Sequence, residues 1–126
     1  MSNKPTSIVI IARPSLLRDG LQAVLTAIPQ TEIVGQVADG ASALTVVSEQ
    51  HPALVVFESD RPGKEVWTVL QHIKAESPET CCIVLTDDAG QQGAATAAGA
   101  DLALLKGFPA EKLFATIERL LQKNEP

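Results

Sequence analysis

The sequence predicts an α/β protein: a doubly wound parallel sheet built from five strand–helix repeats. Three observations predict it. Short runs, apolar but for the leading Ser7, recur at Ser7–Ala12, Ala53–Phe57 and Cys81–Leu85, and such runs read as strands buried on both faces. Longer segments with apolar residues at helical spacing lie between them. Alternation at this interval calls for parallel strands joined by right-handed crossovers, with helices on both faces of the sheet.

Each element has its own signal. The first strand is Ser7–Ala12. Pro14 and Ser15 open a helix, Pro suiting the first turn and Ser the cap. Its stripe is Leu17, Leu21, Val24, Leu25 and Ile28, and Pro29 ends it. Glu32–Val37 is a second, short strand. Asp39 or Gly40 opens the next helix, which turns Ala43, Leu44 and Val47 inward and ends near His51 and Pro52. The third strand organises the chain: the apolar run from Ala53 to Phe57, then Glu58, then the turn residues Ser59, Asp60, Arg61, Pro62 and Gly63. Lys64–Ser77 is the third helix, with Val66, Val69, Leu70 and Ile73 on one face and Trp67 on its flank. Pro78 breaks it. Cys81–Leu85 is the fourth strand, with Thr86, Asp87 and Asp88 at its carboxyl end. Gln91–Ala98 is a weak helix. It contains Gly93, its apolar residues are nearly all Ala, and it is expected to be mobile or partly irregular. Leu102–Leu105 is a fifth strand, closed by Lys106 and Gly107. Phe108 and Pro109 lead into the last helix, whose stripe is Leu113, Phe114, Ile117, Leu120 and Leu121. Residues 1–6 and 123–126 read as flexible ends of a single domain over residues 1–126.

Composition narrows the function. The chain has 126 residues, 45% apolar and 20% charged, which suits one globular domain with its own core. The net charge of −5 leaves no basic footprint, so direct nucleic-acid contact is not expected. The apolar runs are too short to span a bilayer, and the first residues do not read as a secretory signal. A cytoplasmic protein without membrane contact is the expectation. Cys81 and Cys82 are neighbours; a bridge between them would be strained, so they read as small apolar residues of a buried strand.

Glu58 is the first candidate site residue. A charged side chain at the carboxyl end of a buried parallel strand stands where open α/β sheets place their ligand crevice. Enzyme chemistry is not expected there. No Gly-rich phosphate loop follows the first strand, where Ala12, Arg13, Pro14 and Ser15 stand instead. No Ser–His–Asp or Cys–His arrangement is evident, and His51 and His72 read as surface residues.

Several phrases stand out together: Leu-Leu-Arg-Asp-Gly-Leu (16–21), Val-Ala-Asp-Gly-Ala-Ser-Ala-Leu (37–44), the third strand with Pro62 and Gly63, Ile-Val-Leu-Thr (83–86), Ala-Gly-Ala-Asp (98–101) and Leu-Leu-Lys-Gly (104–107). With them the chain resembles the receiver domains of two-component response regulators, the CheY-like family. The resemblance covers nearly the whole chain and is strongest to receivers that precede a LuxR-type DNA-binding domain. It implies a flavodoxin-like fold with strand order 2-1-3-4-5. It also implies a chemistry: phosphorylation of an Asp ending the third strand, with Mg²⁺ held by that Asp and an acidic pair after the first strand. A Thr or Ser and a Lys contact the phosphoryl oxygens, and an aromatic residue in the fifth strand reports the state of the Thr. Phosphoryl transfer is positioning plus charge neutralisation, so such a site needs its metal and its Lys.

Set against that pattern, Thr86 and Lys106 match. The phosphoacceptor position holds Glu58, the acidic pair falls on Ala12 and Arg13, and the switch aromatic falls on Ala103. The resemblance therefore implies a degenerate receiver without its Mg²⁺ site. Such a domain works as a protein-interaction module, its partner a histidine kinase or an output protein, with a homodimer as a further option. Arg13, Lys106 or both are expected to reach Glu58 and neutralise it. Two alternatives stay open. Glu58, Asp60 and Asp87, with Asp88 nearby, can border the same crevice and assemble a makeshift cation site. Or the chain is a working phosphoacceptor receiver that controls transcription through a DNA-binding domain outside this sequence.

Overall fold

The computed structural model describes residues 6–13, 16–59, 64–86, 89–105 and 110–123. Strands and helices alternate: β1 (Thr6–Ile11), α1 (Leu16–Ala27), β2 (Thr31–Val37), α2 (Gly40–Gln50), β3 (Leu54–Ser59), α3 (Lys64–Glu76), β4 (Cys81–Thr86), α4 (Gly90–Ala97), β5 (Leu102–Leu105) and α5 (Ala110–Lys123). The five strands are parallel in the order β2-β1-β3-β4-β5. The expected doubly wound sheet is thus present, with element ends within a few residues of the sequence reading. Pro14 and Ser15, the expected start of α1, and Asp60–Gly63 lie outside the described residues.

Alternation along the strands divides the core into two layers. Ile8, Ile10, Leu54, Val56, Cys81, Ile83, Leu85 and Leu104 face α1 and α5, where they meet Leu21, Leu25, Ile28, Leu113 and Ile117. Val9, Ile11, Val55, Phe57, Cys82 and Val84 face the other way, onto Ala43 and Val47 of α2, Val69, Leu70 and Ile73 of α3, and Ala95 of α4. Trp67 packs half-buried at the margin of this second layer. His51 and His72 are exposed, as expected of surface histidines.

Local chemistry fixes the helix ends. Asp39 caps α2, its carboxylate accepting from the Ser42 N–H at 2.8 Å. That backbone bond, with a second from the Ser42 hydroxyl, holds the Asp39 carboxyl below the usual carboxylate range. The weak helix is regular over Gly90–Ala97 rather than partly irregular. Its carboxyl end explains the phrase Ala98–Asp101. Gly99 adopts φ +117, a left-handed conformation that favours glycine. The Gly99 N–H donates to the Thr96 carbonyl at 3.1 Å and the Ala100 N–H to the Ala95 carbonyl at 3.0 Å, the paired bonds of a Schellman stop.

Asp101 then ties the start of β5 to its surroundings. Its backbone N–H donates to the Cys82 carbonyl and its Oδ2 accepts from the Cys82 N–H, both at 2.8 Å. The same oxygen lies 3.0 Å from Nζ of Lys74, which also donates to the carbonyls of Thr80 and Pro78. Nearby, the buried Thr80 hydroxyl donates to the Pro52 carbonyl at 2.9 Å, and the Ala53 N–H donates to both oxygens of Ser7. The amino-terminal edge of the sheet is therefore closed by side chains.

This packing has two measurable consequences. Asp101→Ala strips the buried Cys82 N–H of a partner and breaks the lysine pair, so unfolding free energy falls by about 1–3 kcal/mol, measurable by urea titration. The second concerns the thiols. Cys81 and Cys82 are free and buried, and burial pushes their pKa values up to about 11 and about 12. Both are raised above the ordinary value of 9.0, so the folded state keeps protons that the unfolded state sheds. Stability from this source is complete below pH 9 and is lost as pH rises through 9 to about 12. Replacing both by Ser or Ala flattens that alkaline limb of the stability curve. In native protein at pH 8 neither thiol reacts with a thiol reagent until the chain is unfolded.

Candidate functional site

The strand order places the topological switch between β1 and β3, and the crevice opens at their carboxyl ends. The register determines who stands there. Ile11 pairs with Phe57, so Ala12 follows beside Glu58. Glu58 pairs with Leu85 and Ser59 with Thr86, and Thr86 pairs with Leu105 at the end of β5. Ala12, Glu58 and Thr86 therefore line one edge, as the sequence reading expected.

Their environments differ. Ala12 is 2% exposed and packs in the layer beneath α1, and its N–H still donates to the Val37 carbonyl of β2 at 2.8 Å. Arg13 is exposed. Glu58 is half-buried, with Oε2 shielded from solvent. Thr86 is fully buried, consistent with a hydroxyl held inside the strand end. Ala103 sits half-buried in β5, against the layer that includes α4. Lys106, Asp60, Asp87 and Asp88 lie outside the described residues. The single ion pair among the described residues is Lys74–Asp101. Of the two cations expected to reach Glu58, Arg13 forms no ion pair with it, its exposed guanidinium gaining more from water, and Lys106 lies outside the described residues.

Two residues matter here that the sequence reading assigned no role. Arg18, in the first turn of α1, reaches back so that Nη1 donates to the Ala12 carbonyl at 3.2 Å, with Nε buried. A cation therefore rests on the end of β1, six residues upstream. Gln92 of α4 donates from Nε2 to the Ala103 carbonyl at 3.0 Å. Both bonds join a side chain to a distant backbone carbonyl, which no periodicity reveals.

Mg²⁺ takes oxygen ligands in near-octahedral geometry, usually one or two carboxylates with waters. The end of β1 offers it a buried methyl and a guanidinium. Among the described residues no three His, Cys, Asp or Glu side chains come together to hold a metal. The described donor set does not fit Mg²⁺.

Comparison with known proteins places this geometry. The response regulator receiver domain family matches residues 8–118. The nitrate/nitrite response regulator protein NarL of Escherichia coli K12 is 25% identical over 122 residues, covering 94% of this chain and 56% of that protein. The transcriptional regulatory protein YhcZ of Bacillus subtilis is 32% identical over 111 residues, covering 86% of this chain and 52% of that protein. The chain spans about half the length of these curated relatives. Among solved structures, the receiver domain of a NarL response regulator from Mycobacterium tuberculosis superposes with a TM-score of 0.82 at 20% identity, covering 94% of this chain and 98% of that one. A CheY-like receiver domain protein from Methanospirillum hungatei gives 0.82 at 19% identity, covering 96% and 97%. These two likenesses speak for the fold. With the family pattern running from β1 into α5, the crevice at the β1–β3 switch belongs to a receiver of two-component signalling: this chain is a member of the response regulator receiver domain family.

Proposed function

We propose that this receiver is atypical: it is not phosphorylated in the usual Mg²⁺-dependent way and acts as a regulatory protein-interaction module. The observation that carries this reading is the end of β1. There a buried Ala12 and an exposed Arg13 stand beside Glu58, where a receiver of the usual kind presents an acidic pair beside an Asp. Phosphoryl transfer to a carboxylate needs cationic cover for the transferred oxygens and a metal to bridge them. Without anionic ligands on β1 the metal has little to hold it, and Glu58 offers an acceptor one methylene out of place. The partner is a histidine kinase or an output protein, and a second copy of the chain is a further option. Thr86, Lys106 and Ala103 then serve structure and surface rather than a phosphorylation readout. No described helix is long and apolar enough to cross a membrane, so contact with the partner does not run through a membrane-spanning helix of these residues.

A second reading is favoured by the relatives. NarL and YhcZ are a response regulator and a transcriptional regulatory protein, and this chain covers about half of each. In that reading the receiver still accepts phosphate and governs transcription through a DNA-binding domain outside the chain.

Intact-mass measurement separates the two. With Mg²⁺ and a small-molecule phosphodonor such as acetyl phosphate, the protein is expected to gain no phosphoryl mass over hours. A stoichiometric adduct on Glu58 or a neighbouring aspartate would sink the first reading and favour the second.

A further inference from the structure

We propose that Gln92 is a latch that fixes α4 on β5, so that the α4–β5 face is positioned by a side-chain bond and not by the phosphorylation crevice. The inference deepens the reading of an atypical receiver, on which it rests. α4 is lightly anchored in the core. It runs for eight residues, carries no acidic residue in its first turn and buries only Ala95 of its own side chains. Gly93 in its middle weakens it further. Against that background the half-buried Gln92 amide reaches the Ala103 carbonyl at 3.0 Å, eleven residues along the chain.

The residue at 103 makes this possible. Alternation places the Ala103 side chain toward the layer where α4 packs, while Leu104 goes to the other layer. The small methyl group at 103 lies beside the carbonyl that the Gln92 amide reaches. A carbonyl has two lone pairs, so Ala103 accepts from Gln92 whatever it gives to the sheet. The position that lacks its switch aromatic is thereby the position to which the helix is tied. Thr86, at the end of β4, takes no part in this bond.

Hydrogen exchange on the whole chain, without a phosphodonor, tests this. Gln92→Glu keeps length and helix propensity but presents a carboxylate that cannot donate; Gln92→Ala removes the group. Both are expected to speed exchange of the α4 amides and of Ala98–Ala100 by about five- to tenfold relative to α1 and α2, the scale of one net hydrogen bond. Thr86→Ala is expected to leave that ratio unchanged. Gly93→Ala adds a methyl group that meets nothing within 4 Å, and serves as a control. It should slow α4 exchange both in the wild-type chain and in the Gln92→Glu variant while preserving the gap between them. Equal α4 exchange in wild type and both Gln92 variants would overturn the latch, as would a Thr86→Ala effect on α4 of the same size. A phosphoryl adduct in the mass experiment would remove the functional reading yet leave the exchange ratio to decide the latch on its own.

Discussion

A strand covered on both faces can carry no charge until it ends, and β3 obeys this residue by residue. Leu54, Val55 and Val56 are wholly buried and Phe57 nearly so, and the first charge is Glu58. With parallel neighbours on both sides, β3 must pass its side chains alternately into the two helix layers. The same alternation in β1 and β4 then follows, because a slip of one residue would turn every apolar side chain to the wrong layer. The whole sheet is organised by that one demand, and it pushes all polar chemistry to the two edges.

The two edges are treated differently. At the amino-terminal edge, Ser7, Pro52, Ala53, Thr80, Lys74 and Asp101 satisfy one another through short bonds. These bonds lock the register from which the opposite edge is measured. At the carboxyl edge the fold asks for little beyond turn chemistry, and the residues there answer to function. Ala12, Arg13 and Glu58 stand at that edge beside unbroken strand pairings.

This division also decides what was legible in the sequence. The five repeats were legible because apolar runs and helical stripes are local, and so was the start of α2 at Asp39 or Gly40. That Ala12, Glu58 and Thr86 stand at strand ends was legible because the apolar runs end there. Arg18 and Gln92 were not legible, since each acts on a carbonyl brought near only by the tertiary fold. The Lys74–Asp101 pair, 27 residues apart, was hidden for the same reason. Arg13, Lys106 or both were expected to reach Glu58; Arg13 stays exposed, because adjacency along an edge does not oblige a long, well-hydrated side chain to turn inward, and Lys106 lies outside the described residues.

The departures at the carboxyl edge are physically coupled on the proposed reading. Three carboxylates at the ends of β1 and β3 repel one another and are tolerable only around a bound divalent cation. Without that cation, a carboxylate at position 12, where the side chain is 2% exposed, would carry an uncompensated desolvation cost. A methyl group there removes the cost, and the Arg18 guanidinium resting on the Ala12 carbonyl brings positive charge to the same strand end. Glu58 then needs no metal to remain at the edge. The residue at 103 follows the same logic on that reading: a site that is not phosphorylated asks for no ring to follow Thr86, and the Ala103 carbonyl instead accepts from Gln92. On the proposed reading, the residues at 12, 13, 58 and 103 express one change in electrostatics and its mechanical consequence.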